Sequence, residues 1–166
     1  MPRFWALLSV LSLVFVSNCT IRFNDWDISQ EVKTFSVQQF ETTAGNAPPT
    51  LGQQFSEQIK ERVMNDTRLS FSPNKGDVQF SGAVTNYEVS PIAPQPEATV
   101  SLQRLTIKLN IAFRDNTDKA KNWEQSFSRF SDFSADVDIS TVETDLIEEI
   151  YEQIIEDVFN KAFGNW

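Results

Sequence analysis

The sequence predicts an α+β two-layer sandwich, with two amphipathic helices on one face of a four- to five-stranded mixed or antiparallel sheet, in the order β-α-β-β-β-α. Three observations predict it. Leu51, Phe55, Ile59 and Val63 recur every four residues, which gives a helix one narrow apolar stripe. Val142, Leu146, Ile147, Ile150, Tyr151, Ile154, Ile155, Val158 and Ala162 give a second helix a wider one. Between them Leu105, Ile107, Leu109, Ile111 and Phe113 alternate strictly, the period of a strand with one buried face. Two striped helices and a one-sided sheet bury all three apolar surfaces against each other.

The elements follow in order. Val32 to Phe40 alternates loosely and reads as a strand, and Thr42 to Pro49 as a turn-rich loop. The first helix is expected from Thr50 to Asn65, with Thr67 to Ser72 as a short edge strand behind it and a turn over 74–77. Asp77 to Ser90 is a second strand. Val78, Phe80, Gly82 and Val84 share one face, then the pattern slips to Tyr87 and Val89, so a bulge is expected near Asn86. Pro91, Pro94 and Pro96 break the sheet. Thr99 to Phe113 is the strongest strand, and Trp123 to Phe133 returns as its hairpin partner. Phe127, Phe130 and Phe133 are spaced by three, so a bulge is expected there too. Ser140 opens the last helix with a capping box to Glu143, and Gly164 ends it.

The N-terminus has the form of an address. Arg3 precedes Phe4 to Val16, of which all but Ser9 and Ser12 are apolar. That run is short of the roughly 20 residues a spanning helix needs, and its flanks match a secretory signal rather than a buried helix. Val16, Ser17, Asn18 and Cys19 resemble a bacterial lipobox, in which the cysteine becomes the lipidated N-terminus; Asn18 departs from the small residue usual there. The expected division is a signal peptide over 1–18, a lipidated tether over 19–31 and a single α+β domain over 32–166. Cleavage before Cys19 would remove Arg3 and no acid, moving the net charge from −9 to −10.

Composition excludes several function classes. The chain has no histidine and one cysteine, so zinc sites of Cys and His and catalytic Ser-His or Cys-His pairs cannot be built within it. Its acidity argues against a nucleic-acid partner. The glycines form no phosphate-cradling loop, so no cofactor is expected, and no metal. Asp145, Glu148, Glu149, Glu152 and Glu156 share the polar side of the last helix, which is how a solvated face looks; nothing in their spacing sets one carboxyl apart for acid–base work.

Two features invite a binding role. Arg104, Lys108 and Arg114 are separated by even steps, so they project from the sheet face opposite the helices. That row is either an ordinary wet sheet face or a contact strip for an anionic group or partner. Phe159 and Phe163 fall past the edge of the last apolar stripe, and Trp166 closes the chain. Together they form either a docking patch or a helix end folded back on the core.

The order of several short stretches also resembles a known family. After the lipobox come Val32 to Val37, Ala47 to Leu51, Asp66 to Leu69, Gly76 to Gly82, Tyr87 ahead of Ser90 to Ile92, Arg104 to Ile107, Phe127 to Phe130, and Phe163 to Trp166. These look like a divergent branch of the LptE-type lipopolysaccharide-assembly lipoproteins, across nearly all of the mature chain. The resemblance implies two helices on one side of a four-stranded sheet and a non-enzymatic outer-membrane lipoprotein. It implies a protein that plugs the lumen of the LptD β-barrel and helps assemble it, with lipopolysaccharide as a further ligand. Among site residues it carries over only Cys19; Arg104, Lys108 and Arg114 rest on strand parity. A solitary periplasmic ligand-binding lipoprotein, accessory to another export system, is the alternative, and predicts an apolar pocket between helices and sheet.

Overall fold

The computed structural model describes residues 28–93 and 101–164. The signal peptide, Cys19, most of the tether, the Pro94–Pro96 breaker, the start of the Thr99 strand and Trp166 therefore lie outside the described residues.

The elements are β1 (Thr34–Val37), β2 (Glu41–Thr42), α1 (Leu51–Asp66), β3 (Ser70–Phe71), β4 (Val78–Pro91), β5 (Leu102–Asp115), β6 (Trp123–Ser134) and α2 (Ile139–Phe163). One six-stranded mixed sheet runs β3-β1-β4-β5-β6, with β2 following β1 along the same edge of β4. β1 pairs in parallel with β3 and β4, and β4-β5-β6 is an antiparallel meander. Both helices lie on one face, α1 toward β1–β4 and α2 over β5 and β6. The sheet exceeds the expected four to five strands because Glu41 and Thr42, at the junction of the expected strand and loop, pair with Ala83 and Val84 of β4. A two-residue strand held by a distant neighbour leaves no periodicity to read.

The predicted stripes form the core. Leu51, Phe55, Ile59 and Val63 of α1 and Leu105, Ile107, Leu109, Ile111 and Phe113 of β5 are all buried. Phe55 packs edge-on against Tyr151 of α2, and the Tyr151 hydroxyl donates to the Leu51 carbonyl at 3.0 Å, tying the helices together. Ser56 of α1, itself buried, accepts from the Phe40 amide at 2.8 Å and donates to the Gly52 carbonyl. Thr42 accepts from the Gly52 amide at 2.9 Å, supplying the first turn of α1 with a cap from outside the helix. A methyl group on Gly52 would sit 2.1 Å from the Phe40 carbonyl oxygen, so the chain passes there only as glycine.

The β4 bulge lies where the phase slip predicts it, between Val84 and Asn86. The bulge expected in β6 is absent: β6 pairs with β5 in unbroken register from Trp123 to Ser134. Phe127 and Phe133 face the helices and are buried, whereas Phe130 points to the other side and is 47% exposed. The spacing of three therefore reflects an aromatic on the wet face, not a bulge. The start of α2 also differs from the expected capping box. The N-cap is Asp138, whose carboxylate accepts from the Ser140 amide and hydroxyl at 2.9 and 2.7 Å. Glu143 instead accepts a hydrogen bond from the Tyr87 hydroxyl of β4. At the other end the Gly164 amide closes the helix on Asn160.

Candidate functional site: the uncovered sheet face

The sheet face opposite the helices is not covered by any described element. Parity puts Gln79, Ser81, Ala83, Asn86, Glu88 and Ser90 of β4 on it, beside Arg104, Thr106, Lys108, Asn110, Ala112 and Arg114 of β5 and Glu124, Ser126, Ser128, Phe130 and Asp132 of β6. The middle is lined by small side chains: Ser81 pairs with Ala112, and Ser126 and Ser128 flank Asn110 and Lys108. The face is broad and polar, the surface an antiparallel sheet turns to water or to a polar partner wall.

Arg104, Lys108 and Arg114 do project together, but not as a bare cationic row. Arg104 lies opposite Asp132 and donates two hydrogen bonds to its carboxylate, at 2.7 and 2.9 Å. Its guanidinium also stacks 3.5 Å from the centre of the Phe130 ring. Asp132 raises the Arg104 pKa through that paired hydrogen bond, and Arg104 in turn holds the Asp132 carboxyl below its ordinary value. Arg114 reaches Glu124 at 3.7 Å and the Trp123 carbonyl at 3.4 Å. Lys108 is exposed, and its ammonium forms no ion pair with a side chain among the described residues. The acids that neutralise the row come from β6, which parity within β5 alone does not reveal.

The C-terminal aromatics fall the other way from a docking patch. Phe159 is 2% exposed and Phe163 3%. Phe163 packs edge-on between Phe80 and Phe113, Phe159 lies against Phe163, and the Arg62 guanidinium covers the Phe159 ring. The apolar stripe of α2 widens toward its C-terminus because sheet and α1 enclose that end from two sides. Phe159 and Phe163 are core, which removes them as surface contacts. The helix–sheet interface is filled by these rings together with Phe35, Phe40, Phe55 and Tyr151.

Among the described residues no cluster of three or more acid or cysteine side chains is arranged to hold a metal ion, and no helix is long and apolar enough to cross a membrane. The acids of α2 that make contacts are structural partners. Glu149 accepts from Ser131 at 2.7 Å and Asp157 pairs with Arg129 at 2.6 Å, both toward β6.

Comparison with known proteins agrees with this architecture. No curated protein matches the sequence. Among solved structures, a Xanthomonas campestris protein of the DUF330 family aligns with TM-score 0.53 at 11% identity, covering 81% of this chain and 85% of that one. A neuraminyllactose-binding hemagglutinin homolog from Helicobacter pylori aligns with TM-score 0.53 at 8% identity, over 84% and 87%. The rare lipoprotein B from Shewanella oneidensis aligns at 0.46 with 11% identity, over 78% and 90%. At these identities the likeness to the first two concerns fold alone. The family model for lipopolysaccharide assembly, LptE, matches residues 32–162, which spans every strand of the sheet and nearly all of both helices. The chain therefore belongs to the LptE family of lipopolysaccharide-assembly proteins.

Proposed function

We propose that this protein is a non-enzymatic outer-membrane lipoprotein, anchored through Cys19, that plugs and helps assemble an LptD-type β-barrel and so supports lipopolysaccharide insertion into the outer leaflet. One observation carries the reading beyond family membership: a two-layer slab with a polar, near charge-balanced sheet face that none of its described elements covers. The lumen of a large barrel is polar, and a wall of that kind is matched by such a face without net attraction. Direct lipopolysaccharide binding ranks second. The ligand is anionic and the chain carries −9, so binding would depend on local cations such as Lys108, Arg104 and Arg114. The rival picture of a solitary ligand-binding lipoprotein gains nothing from an interface packed with aromatic rings.

The test is gentle extraction of native membranes. The protein should elute with a much larger β-barrel partner, and elution alone would overturn the reading. Cys19→Ala should move the protein from the membrane to the soluble fraction when the barrel is absent. Retention of a variant whose mass shows the signal removed would refute the anchor, whereas retention of an uncleaved variant would reflect the apolar signal itself.

A further inference from the structure

The two edges of the sheet are unlike. One ends in β3, a strand of two residues, too short to template another chain. The other ends in β6, twelve residues in unbroken register with β5, containing no proline, no lysine and no bulge. No described strand pairs with its outer side. Proteins ordinarily blunt such an edge, because its unpaired amides and carbonyls recruit other strands. The one inward-facing charge on β6, Arg129, is drawn to Asp157 of α2.

The direction of the free groups follows from the ladder. Just past the Leu102–Ser134 pair, the Ala135 amide donates to the Ser101 carbonyl at 2.9 Å. Hydrogen-bonded pairs alternate in an antiparallel ladder, so the odd-numbered residues of β6 bond inward to β5. The backbone groups of Glu124, Ser126, Ser128, Phe130 and Asp132 then point outward. Directly beside this row lies an open groove of about 700 Å3 between β6 and α2, lined by Gln125, Phe127, Arg129, Asp157, Asn160 and Lys161. Lys161 rests over the Trp123 ring, and no acid side chain pairs with it among the described residues.

We propose that β6 is a strand-addition site: an extended segment of a protein partner pairs with its outer edge and sends alternate side chains into the groove. Main-chain bonds would supply affinity and the groove would supply selectivity, through an apolar side chain over Phe127 and an acid beside Lys161. A second copy of this chain fits poorly. The two symmetric antiparallel registers that overlap β6 most fully set Asp132 against Glu124 or Arg129 against its own copy. Such a dimer would also bring together two α2 flanks bearing Glu149 and Asp157. The inference deepens the proposed role, since it says how a protein partner is gripped, but it does not depend on that partner being a barrel.

Two measurements on the full chain test it. Amide exchange read residue by residue should show Ser126, Ser128 and Phe130 slowed by about tenfold or more in gently extracted membrane assemblies relative to the purified chain, with Phe127 and Arg129 slow in both. Equal rates at the even positions in both states would overturn the proposal. Ser128→Pro removes one outward amide while leaving the inner ladder whole. It should reduce recovery of the wild-type's co-purifying partner by about tenfold, with unfolding temperature preserved, whereas Ser128→Ala should not. Undiminished recovery by the folded proline variant, or slow exchange in a purified chain that sediments as a dimer, would also overturn it. Alternate-residue protection in assemblies that contain no barrel would leave strand addition standing and sink the plug reading instead.

Discussion

Single side chains decide which of the candidate surfaces exist. Phe159 sits one step past the stripe that periodicity traces on α2, and a helical wheel places it toward solvent; enclosure by Phe163 and Arg62 makes it core. Phe159→Ala should therefore lower stability by about 3–5 kcal/mol in denaturant unfolding, the range for removing a buried aromatic. A loss under about 1 kcal/mol would restore it to the surface. Tyr151 makes the finer case. Burial pushes its hydroxyl pKa up, so it remains a neutral donor to Leu51 across the physiological range. Tyr151→Phe keeps the ring against Phe55 and removes one neutral hydrogen bond, with an expected loss of about 1 kcal/mol. The sequence left the first open between docking patch and core, and did not show the second. A wheel gives angles around one axis and says nothing of a second helix closing over its edge, and a tyrosine on an apolar stripe does not name its acceptor 100 residues away.

Whole elements were more legible, and the misses have a common cause. Helix and strand periods located both helices and the three long strands, and a slipped alternation located the β4 bulge. These signals are carried within one segment. What was missed depends on pairs of segments: β2, whose strand partner is β4; the outward turn of Phe130, fixed by register with Thr106; and the cap of α2. Ser140 and Glu143 have the spacing of a capping box, yet Asp138 lies two residues earlier and Tyr87 claims Glu143. Hydrogen bonds from the Ser140 hydroxyl and amide, in that order, hold the Asp138 carboxyl below its ordinary pKa of 3.8. A depressed carboxyl contributes stability that is present above the unfolded pKa and lost as pH falls through the folded one. Asp138→Ala should therefore lower the thermal midpoint at pH 7, and its deficit should shrink as pH drops below about 4. Thermal scans across that window check it, and a deficit independent of pH would argue that the carboxylate charge has no part in the cap. Asp77, whose carboxylate accepts from the Lys33 and Thr34 amides and the Thr34 hydroxyl at 2.9 Å, is likewise lowered and titrates with the same sign. It fastens β1 to the start of β4.

At the scale of the whole molecule the fold sorts its chemistry by layer. Aromatic and aliphatic side chains fill the space between helices and sheet, Glu149 and Asp157 of α2 reach toward β6, and the opposite sheet face keeps small and polar groups with Arg104 and Arg114 paired across strands. A monomer in water could carry such a face, so its role must be tested by bulk rather than by charge, because reversing Arg104 would also break its pair with Asp132. Ala112 is the suitable position. It lies near the C-terminal end of β5, the central strand of the meander, between Ser81 and Glu124, and its side chain points away from the core. Ala112→Trp should change stability by no more than about 0.5 kcal/mol, as surface substitutions do, while raising a large obstacle on the uncovered face. If a barrel wall packs there, recovery of the barrel with the variant should collapse while Lys108→Glu, which adds no bulk, weakens it less. Barrel recovery unchanged by Ala112→Trp would mean that the wall meets the protein elsewhere, leaving the β6 edge and the helix layer as the surfaces that can hold it.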